Sequence, residues 1–313
     1  MMQYAFKRIL SGIITVWFIA TATFAAMHAV PGDPLASNKN LNPEIRQNLM
    51  EQYGLEKPLT TQYLLYMGNM LRGDFGISFS EKNRRVNDII REHFPVSALL
   101  GVLAIAIAGI GGIFWGALTA LYRDRLPDAV IMFGVILAIS VPSFVFAAFG
   151  QLLLLKINNW LGISLLPIAG WGSFSHMLMP AVVLGLSTLA YLTRLMRSSM
   201  LEVAGADYMR TAKAKGLPPL RIFFKHQLRN AILPLISVLG PSIAAITTGG
   251  FVVEMVFSIP GLGRYFVQAV QQLDYTVIMG TTVFYGAFLV LMVTAVDILY
   301  GFIDPRITVG GKQ

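Results

Sequence analysis

The sequence predicts an all-α, polytopic membrane protein with an external helical segment after its first helix. Three observations carry that reading. Only 13% of the 313 residues are charged and 55% are hydrophobic, whereas soluble domains carry about 25% charged residues. Six stretches are apolar for long enough to cross about 30 Å of hydrocarbon as helix. Glycine and proline also stand inside those stretches, as at Pro142, Gly240-Pro241 and Gly249-Gly250. Such residues break soluble helices, but in lipid the neighbouring helices re-satisfy the freed backbone groups.

The first stretch, Ile9 to Val30, follows Lys7 and Arg8 and so resembles a signal peptide. Its uncharged run is too long for an ordinary h-region, and His28-Ala29-Val30-Pro31 makes a poor cleavage site, so residues 1–30 are read as a retained anchor. Residues 31–95 follow as an external segment with eight basic and eight acidic residues. Proline and glycine divide it into three candidate amphipathic helices: Pro43 to Tyr53, Thr60 to Leu71 and Arg84 to His93. In the last, Val86, Ile89, Ile90 and His93 fall on one side. A small cap, or a set of interfacial helices, is expected there.

The remaining crossings form a five-helix core over residues 96–303: Val96 to Tyr122, Ala129 to Leu155, Met177 to Thr193, Asn230 to Val253 and Tyr275 to Val296. Small residues from Ala104 to Gly112 permit close helix contact. Short loops on one side hold Lys7 and Arg8, Arg123 and Arg125, eight Lys/Arg between Arg194 and Arg229, then Arg306 and Lys312. The opposite short loops hold only Lys156 and Arg264. A Lys/Arg excess marks the cytoplasmic side, so both termini, the loop 194–234 and the tail 304–313 are expected inside.

That loop reads GADYMRTAKAKGLPPLRIFFKHQLRNAILP from Gly205 to Pro234. It divides into two helices too polar for lipid, about Val203 to Lys215 and Pro219 to about Asn230. The breaker between them is Gly216 with Pro218-Pro219. Tyr208, Thr211, Ala212 and Lys215 follow helical spacing along one side, and Asp207 and Arg210 are spaced for an i,i+3 ion pair. A slim, basic helix of this kind suits the groove of another protein. The plainer alternative is a solvated loop whose charge fixes topology and touches anionic lipid.

Several function classes lack residues. No Gly-x-x-x-x-Gly-Lys-Ser/Thr stretch exists to cradle phosphate, so ATP would be handled by a partner. Central parts of the crossings hold no Asp, Glu, His, Lys or Arg, which argues against an ion-coupled secondary transporter. Ser143, Ser187 and Ser242 have no histidine in a central span to activate them as protease nucleophiles. With no cysteine there is no disulfide and no thiolate metal site. Catalytic, cofactor and metal residues are therefore not expected in this chain, and neither is a nucleic-acid partner. Thr188, Thr193, Thr247, Thr248, Thr281, Thr282 and Thr294 are candidates to line a weakly binding conduit, or to bond their own i−4 carbonyls.

The run Asp207-Tyr208-Met209-Arg210-Thr211-Ala212-Lys213-Ala214-Lys215-Gly216-Leu217, followed by His226-Gln227-Leu228-Arg229-Asn230-Ala231 and Leu233-Pro234, resembles the signature of ABC-importer membrane permeases of the dipeptide/oligopeptide branch. Pro31-Gly32-Asp33-Pro34, Gly73-Asp74-Phe75-Gly76, Arg197-Ser198-Ser199-Met200, Pro260-Gly261-Leu262-Gly263, Asp274-Tyr275 and Asp304-Pro305-Arg306 extend the resemblance over nearly the whole chain. It is most similar to the first permease subunit of oligopeptide systems. The resemblance implies a six-helix type I ABC importer permease in a bacterial inner membrane. It also implies a second homologous permease, two cytoplasmic ATPases holding ATP and Mg, an external substrate-binding protein, and a peptide in transit. Dipeptides or nickel are the alternative cargo within the same branch.

By the same resemblance Asp207, Tyr208, Arg210, Thr211, Ala212, Lys213 and Gly216 would couple to the ATPase. The general family's Glu-Ala-Ala triplet falls at Arg210, Thr211 and Ala212, and its glycine at Gly216. The glutamate is missing, which leaves Asp207 as the candidate negative charge, and Lys213 stands where relatives often carry arginine. Pro260, Gly261, Gly263 and Arg264 would face the binding protein.

Overall fold

A computed structural model describes residues 2–29, 47, 50, 51, 54–81 and 84–303. The expected helix Pro43 to Tyr53 lies almost wholly outside them, as do Pro31-Gly32-Asp33-Pro34 and the tail 304–313. Among the described residues the helices are α1 (Met2–Ala29), α2 (Leu59–Leu71), α3 (Val86–Leu121), α4 (Leu126–Ser140), α5 (Ser143–Leu161), α6 (Phe174–Gly205) and α7 (Asp207–Ala214). After a second basic segment come α8 (Leu233–Gly249), α9 (Phe251–Val256), α10 (Leu262–Gln272) and α11 (Tyr275–Ile303). Among the described residues six helical stretches are long and apolar enough to cross a membrane: Phe6–Ala29, Val86–Leu121, Ser143–Leu161, Phe174–Gly205, Leu233–Val256 and Tyr275–Val296.

Three boundaries differ from the sequence reading, each for a local reason. The expected short helix Arg84 to His93 is the N-terminal end of α3, whose 36 residues run through Pro95 without a break. At 1.5 Å per residue that is about 54 Å, far more than the membrane needs. The expected span Ala129 to Leu155 is two helices, because Val141 adopts an extended conformation before Pro142. The fourth span is longer than its apolar core: α6 continues for twelve residues past Thr193 to Gly205.

The chain divides into two compact units, one of residues 1–97 with 260–291 and the other of residues 98–259 with 292–313. In the first, α1 and α11 run antiparallel. A Cβ on Gly12 would lie 2.6 Å from Val290, and one on Gly286 would lie 2.8 Å from Ile19. Phe24 and Met27 of α1 share a core with Val86, Ile89, Ile90, Leu262 and Tyr275, and Tyr63 and Tyr66 of α2 pack against it.

In the second unit α3 and α6 run parallel along a seam of small residues. Cβ atoms added to Gly112 and Gly116 would each approach 2.5 Å from Leu192 and Met196, and one on Gly185 would lie 2.6 Å from the Ala104 carbonyl oxygen. This is the small-xxx-small approach that membrane helices use when lipid offers no hydrophobic driving force. The Asp128 carboxylate at the start of α4 is buried, and Arg197 of α6 grips it with Nε at 2.9 Å and Nη2 at 2.7 Å.

Candidate functional site

The cytoplasmic-type loop is built from the end of α6 onward. Ala206 turns to an extended conformation (φ −69°, ψ 148°), so α7 begins at Asp207 rather than near Val203. Asp207 at the first helical position suits the positive end of the helix dipole, and Lys213 in the last turn suits the negative end. The turn out of α7 is a Schellman motif. Gly216 N–H donates to the Lys213 carbonyl (2.9 Å), and Leu217 N–H donates to the Ala212 carbonyl (3.4 Å). Gly216 has φ +71°, and an added Cβ would meet nothing within 4 Å. Its requirement for glycine is therefore conformational rather than steric.

One edge of α7 is apolar and internal. Met209 and Ala212 are buried with Ile222, and Val203, Ala206 and Leu217 pack around them. Ala212, one of the expected coupling residues, is 5% exposed and helps to anchor the helix. Asp207, Tyr208, Arg210, Thr211, Lys213 and Gly216 are all exposed. The Asp207–Arg210 pair closes at 3.7 Å between fully hydrated side chains, so its contribution to helix stability is negligible. Thr211 donates to the Asp207 carbonyl at 3.2 Å.

The second basic segment is α-helical over Pro219–Arg221, π-helical over Ile222–Leu228 and α-helical again over Arg229–Ala231. A π stretch is rare and favours functional positions. Nothing in the sequence marked it. Gln227 ties it to α6 by donating Nε2–H to the Met200 carbonyl at 3.1 Å. Phe223, Leu228 and Ala231 pack into the cluster around Met196 and Met200. Arg221, Lys225 and Arg229 are left exposed. Together with Arg210, Lys213 and Lys215 they give a basic surface held by an apolar underside.

In the other unit, Pro260-Gly261-Leu262-Gly263 is a packing element. Gly261, Leu262 and Gly263 are buried, and Pro260 and Arg264 are half-buried. Of the residues expected to face the binding protein, Gly261 and Gly263 are thus interior, and Pro260 and Arg264 keep part of their surface. The Pro260 carbonyl oxygen lies 2.9 Å from His93 Nδ1, and Leu262 N–H donates to Ser97 Oγ at 2.9 Å. Arg84 donates to Glu81 (2.7 Å) and Glu92 (2.7 Å) and lies 5.3 Å from the Tyr265 ring centre, where Tyr265 stacks on His93. These acidic partners hold the Arg84 guanidinium pKa above its ordinary value, led by the hydrogen bond to Glu81.

Sequence reasoning gave no role to Asp274 beyond its place in a motif. It is fully buried and caps α11, with Oδ1 accepting from Val277 N–H and Thr276 Oγ–H. Oδ2 accepts from Ser78 Oγ–H and from the N–H and Oγ–H of Ser80. Ser78 and Asp274 are separated by 196 residues, so no local signal could have joined them. A cavity of about 140 Å³ nearby is lined by Phe24, His28, Gln62, Tyr66, Asp74 and Tyr275, among others. The Tyr66 hydroxyl is buried without a hydrogen-bond partner among the described residues, and burial, with a smaller contribution from Tyr63, pushes its pKa up.

Three of the candidate conduit threonines bond their own helices: Thr193 to the Leu189 carbonyl, Thr248 to that of Ala244 and Thr281 to that of Val277. Glu254, at the end of the fifth crossing, is buried. No cluster of metal-ligating side chains occurs among the described residues.

Six apolar crossings, with a capped basic helix pair between the fourth and fifth, set the frame for comparison. Residues 112–309 match the family described as the binding-protein-dependent transport system inner membrane component, and residues 1–101 match the N-terminal family of such membrane components. The chain belongs to this permease family. It is 43% identical over 312 residues to the dipeptide transport system permease protein DppB of Bacillus subtilis, covering 100% of both chains. It is 40% identical to the oligopeptide transport system permease protein OppB of Haemophilus influenzae and 37% identical to OppB of Escherichia coli, each covering 98% of this chain and 99% of the relative. A chain of the MetNI methionine ABC transporter superposes with a TM-score of 0.52 at 16% identity, covering 71% of this permease and 97% of that chain. That likeness is one of fold. The permease thus has the type I ABC importer fold and is a multi-pass membrane protein.

Proposed function

We propose that this permease forms half of the translocation pathway of an ATP-driven peptide importer. In this reading α7 and the basic segment after it dock on a cytoplasmic ATPase, and an external binding protein delivers oligopeptide. The observation that carries the reading is the cytoplasmic-type helix pair. Its apolar edge (Met209, Ala212, Ile222) is internal, which leaves Tyr208, Arg210, Thr211 and Lys213 free on a rigid, glycine-terminated helix. Such a surface transmits force only if its aim is fixed, and the Schellman turn at Gly216 fixes it. Peptide as cargo is supported by full-length relatives named as dipeptide and oligopeptide permeases. A second homologous permease, two ATPases holding ATP and Mg, and the binding protein complete the proposed assembly. Both termini are assigned to the cytoplasm on the Lys/Arg distribution.

Ion-coupled transport is disfavoured by the uncharged centres of the crossings. The test is uptake into vesicles holding both permeases and both ATPases, with binding protein outside. Peptide uptake and binding-protein-stimulated ATP hydrolysis are the expected results. Uptake by this chain without any ATPase would overturn the reading.

A further inference from the structure

We infer that α2, Leu59–Leu71, is an interfacial helix, with the face bearing Leu64 and Leu71 seated among the lipid chains of the outer membrane boundary. Its thirteen residues, LTTQYLLYMGNML, contain no charge. Leu64 is 69% exposed and Leu71 83% exposed. They stand seven residues apart, two turns along one face, with Gly68 between them. An uncharged helix presenting leucines to water would be costly, since water gains nothing from aliphatic surface that lipid would cover.

The depth of α2 is set by what its other face touches. Tyr63 hydroxyl and Thr21 Oγ1 are 2.8 Å apart. The Phe24 ring lies 5.4 Å from Tyr63 and 5.9 Å from Tyr66, and His28 Nε2 lies 3.2 Å from Gln62 Oε1. Thr21 precedes Ala29, the last residue of the first crossing, by eight residues, or about 12 Å of helix. A helix capping the end of α1 would meet only its final turn. α2 instead lies alongside the last two turns, so its far side continues the lipid-facing surface of the crossing. Tyr63 and Tyr66 then occupy the level where membrane proteins concentrate tyrosine. Arg72, exposed directly after the helix, can reach headgroup phosphates. Asn69, on the opposite side from Leu71, is exposed and lines the cavity that Gln62 and Tyr66 share with α1.

The chain has no cysteine, so single cysteines report without background. Spin labels at Leu64→Cys, Leu71→Cys and Asn69→Cys would be read in the assembled complex in nanodiscs by collision with oxygen, which partitions into lipid, and with a water-soluble nickel chelate. Exposed sites tolerate this change, and co-purification of the complex verifies folding of each variant. Leu64 and Leu71 should favour oxygen with or without binding protein, and Asn69 the nickel chelate in its absence. Collision of the chelate with Leu64 and Leu71 in the absence of binding protein would overturn the inference. Its loss on adding that protein would reassign the face to protein docking. Shielding from both reagents would place another subunit there and equally overturn it.

Discussion

At the residue scale, Gly216 and Asp128 make opposite demands on chemistry. Gly216 needs only a left-handed backbone, because no atom crowds its missing side chain. A β-branched residue there should cost about 1–2 kcal/mol, while asparagine, which tolerates that region, should cost less. In the vesicle system Gly216→Val should lower uptake and stimulated ATP hydrolysis more than it lowers permease abundance, with Gly216→Asn retaining most of both. Equal activity of wild type and Gly216→Val would remove the coupling role. Arg210→Glu reverses charge on an exposed side chain and leaves no cavity, so it should act on ATPase co-purification rather than on insertion. Asp128 is different. It is buried against Arg197 and also accepts the Asp124 N–H at 3.1 Å. Asp128→Asn leaves the guanidinium without its countercharge. The cost should fall near the lower end of the about 3–5 kcal/mol seen when buried pairs are broken, since Arg197 is a quarter exposed. Thermal unfolding of the solubilised complex would register the loss, and an unchanged midpoint would show the pair to be dispensable.

At the element scale, helix packing separates glycines that look alike in the sequence. Gly109, Gly111 and Gly112 were all candidates for close contact. Cβ atoms on Gly111 and Gly112 would come within 2.7 and 2.5 Å of leucine side chains on α6, whereas one on Gly109 would meet nothing. Gly112→Ala should therefore force α3 from α6 and destabilise by about 1–3 kcal/mol. Gly109→Ala should be neutral or gain up to about 1 kcal/mol from helix propensity. The paired shift in melting temperature checks this, and identical shifts would mean the seam does not hold. The helix pattern was legible in composition because a lipid-embedded segment must be apolar throughout its length. Its ends were less legible. Helices α3 and α6 run past the apolar zone into charged sequence, where hydropathy falls silent but backbone hydrogen bonding continues.

At the whole-molecule scale, the exposed surface calls for company. Ile13, Phe18, Val102, Ile110, Phe133, Phe149 and Leu291 all stand on crossings or on the apolar helix α4 with their side chains largely uncovered. Lipid covers much of that surface, but lipid alone does not build a closed pathway from six crossings. The permease is accordingly expected to be stable and competent only beside a second, homologous subunit. A detergent-stable, transport-competent complex containing this chain as its only permease would refute that. Cysteines at Asn69 and Gln268 should react with reagents added outside and crosslink to the binding protein; labelling only from the cytoplasm would invert the topology.

The sequence by itself determined the membrane character, the number of apolar crossings, the basic loop between the fourth and fifth, and the chain break at Gly216. Each is a local property, written in consecutive residues as hydropathy, charge or backbone preference. Tertiary structure alone decided which face of α7 is free, since Ala212 is covered by Ile222 from the far side of the turn. It also decided that Gly261 and Gly263 are interior, that Arg197 holds Asp128, and that Asp274 gathers Ser78 and Ser80. Burial and ion pairing depend on residues tens to hundreds of positions away, and a sequence read in windows carries no term for them.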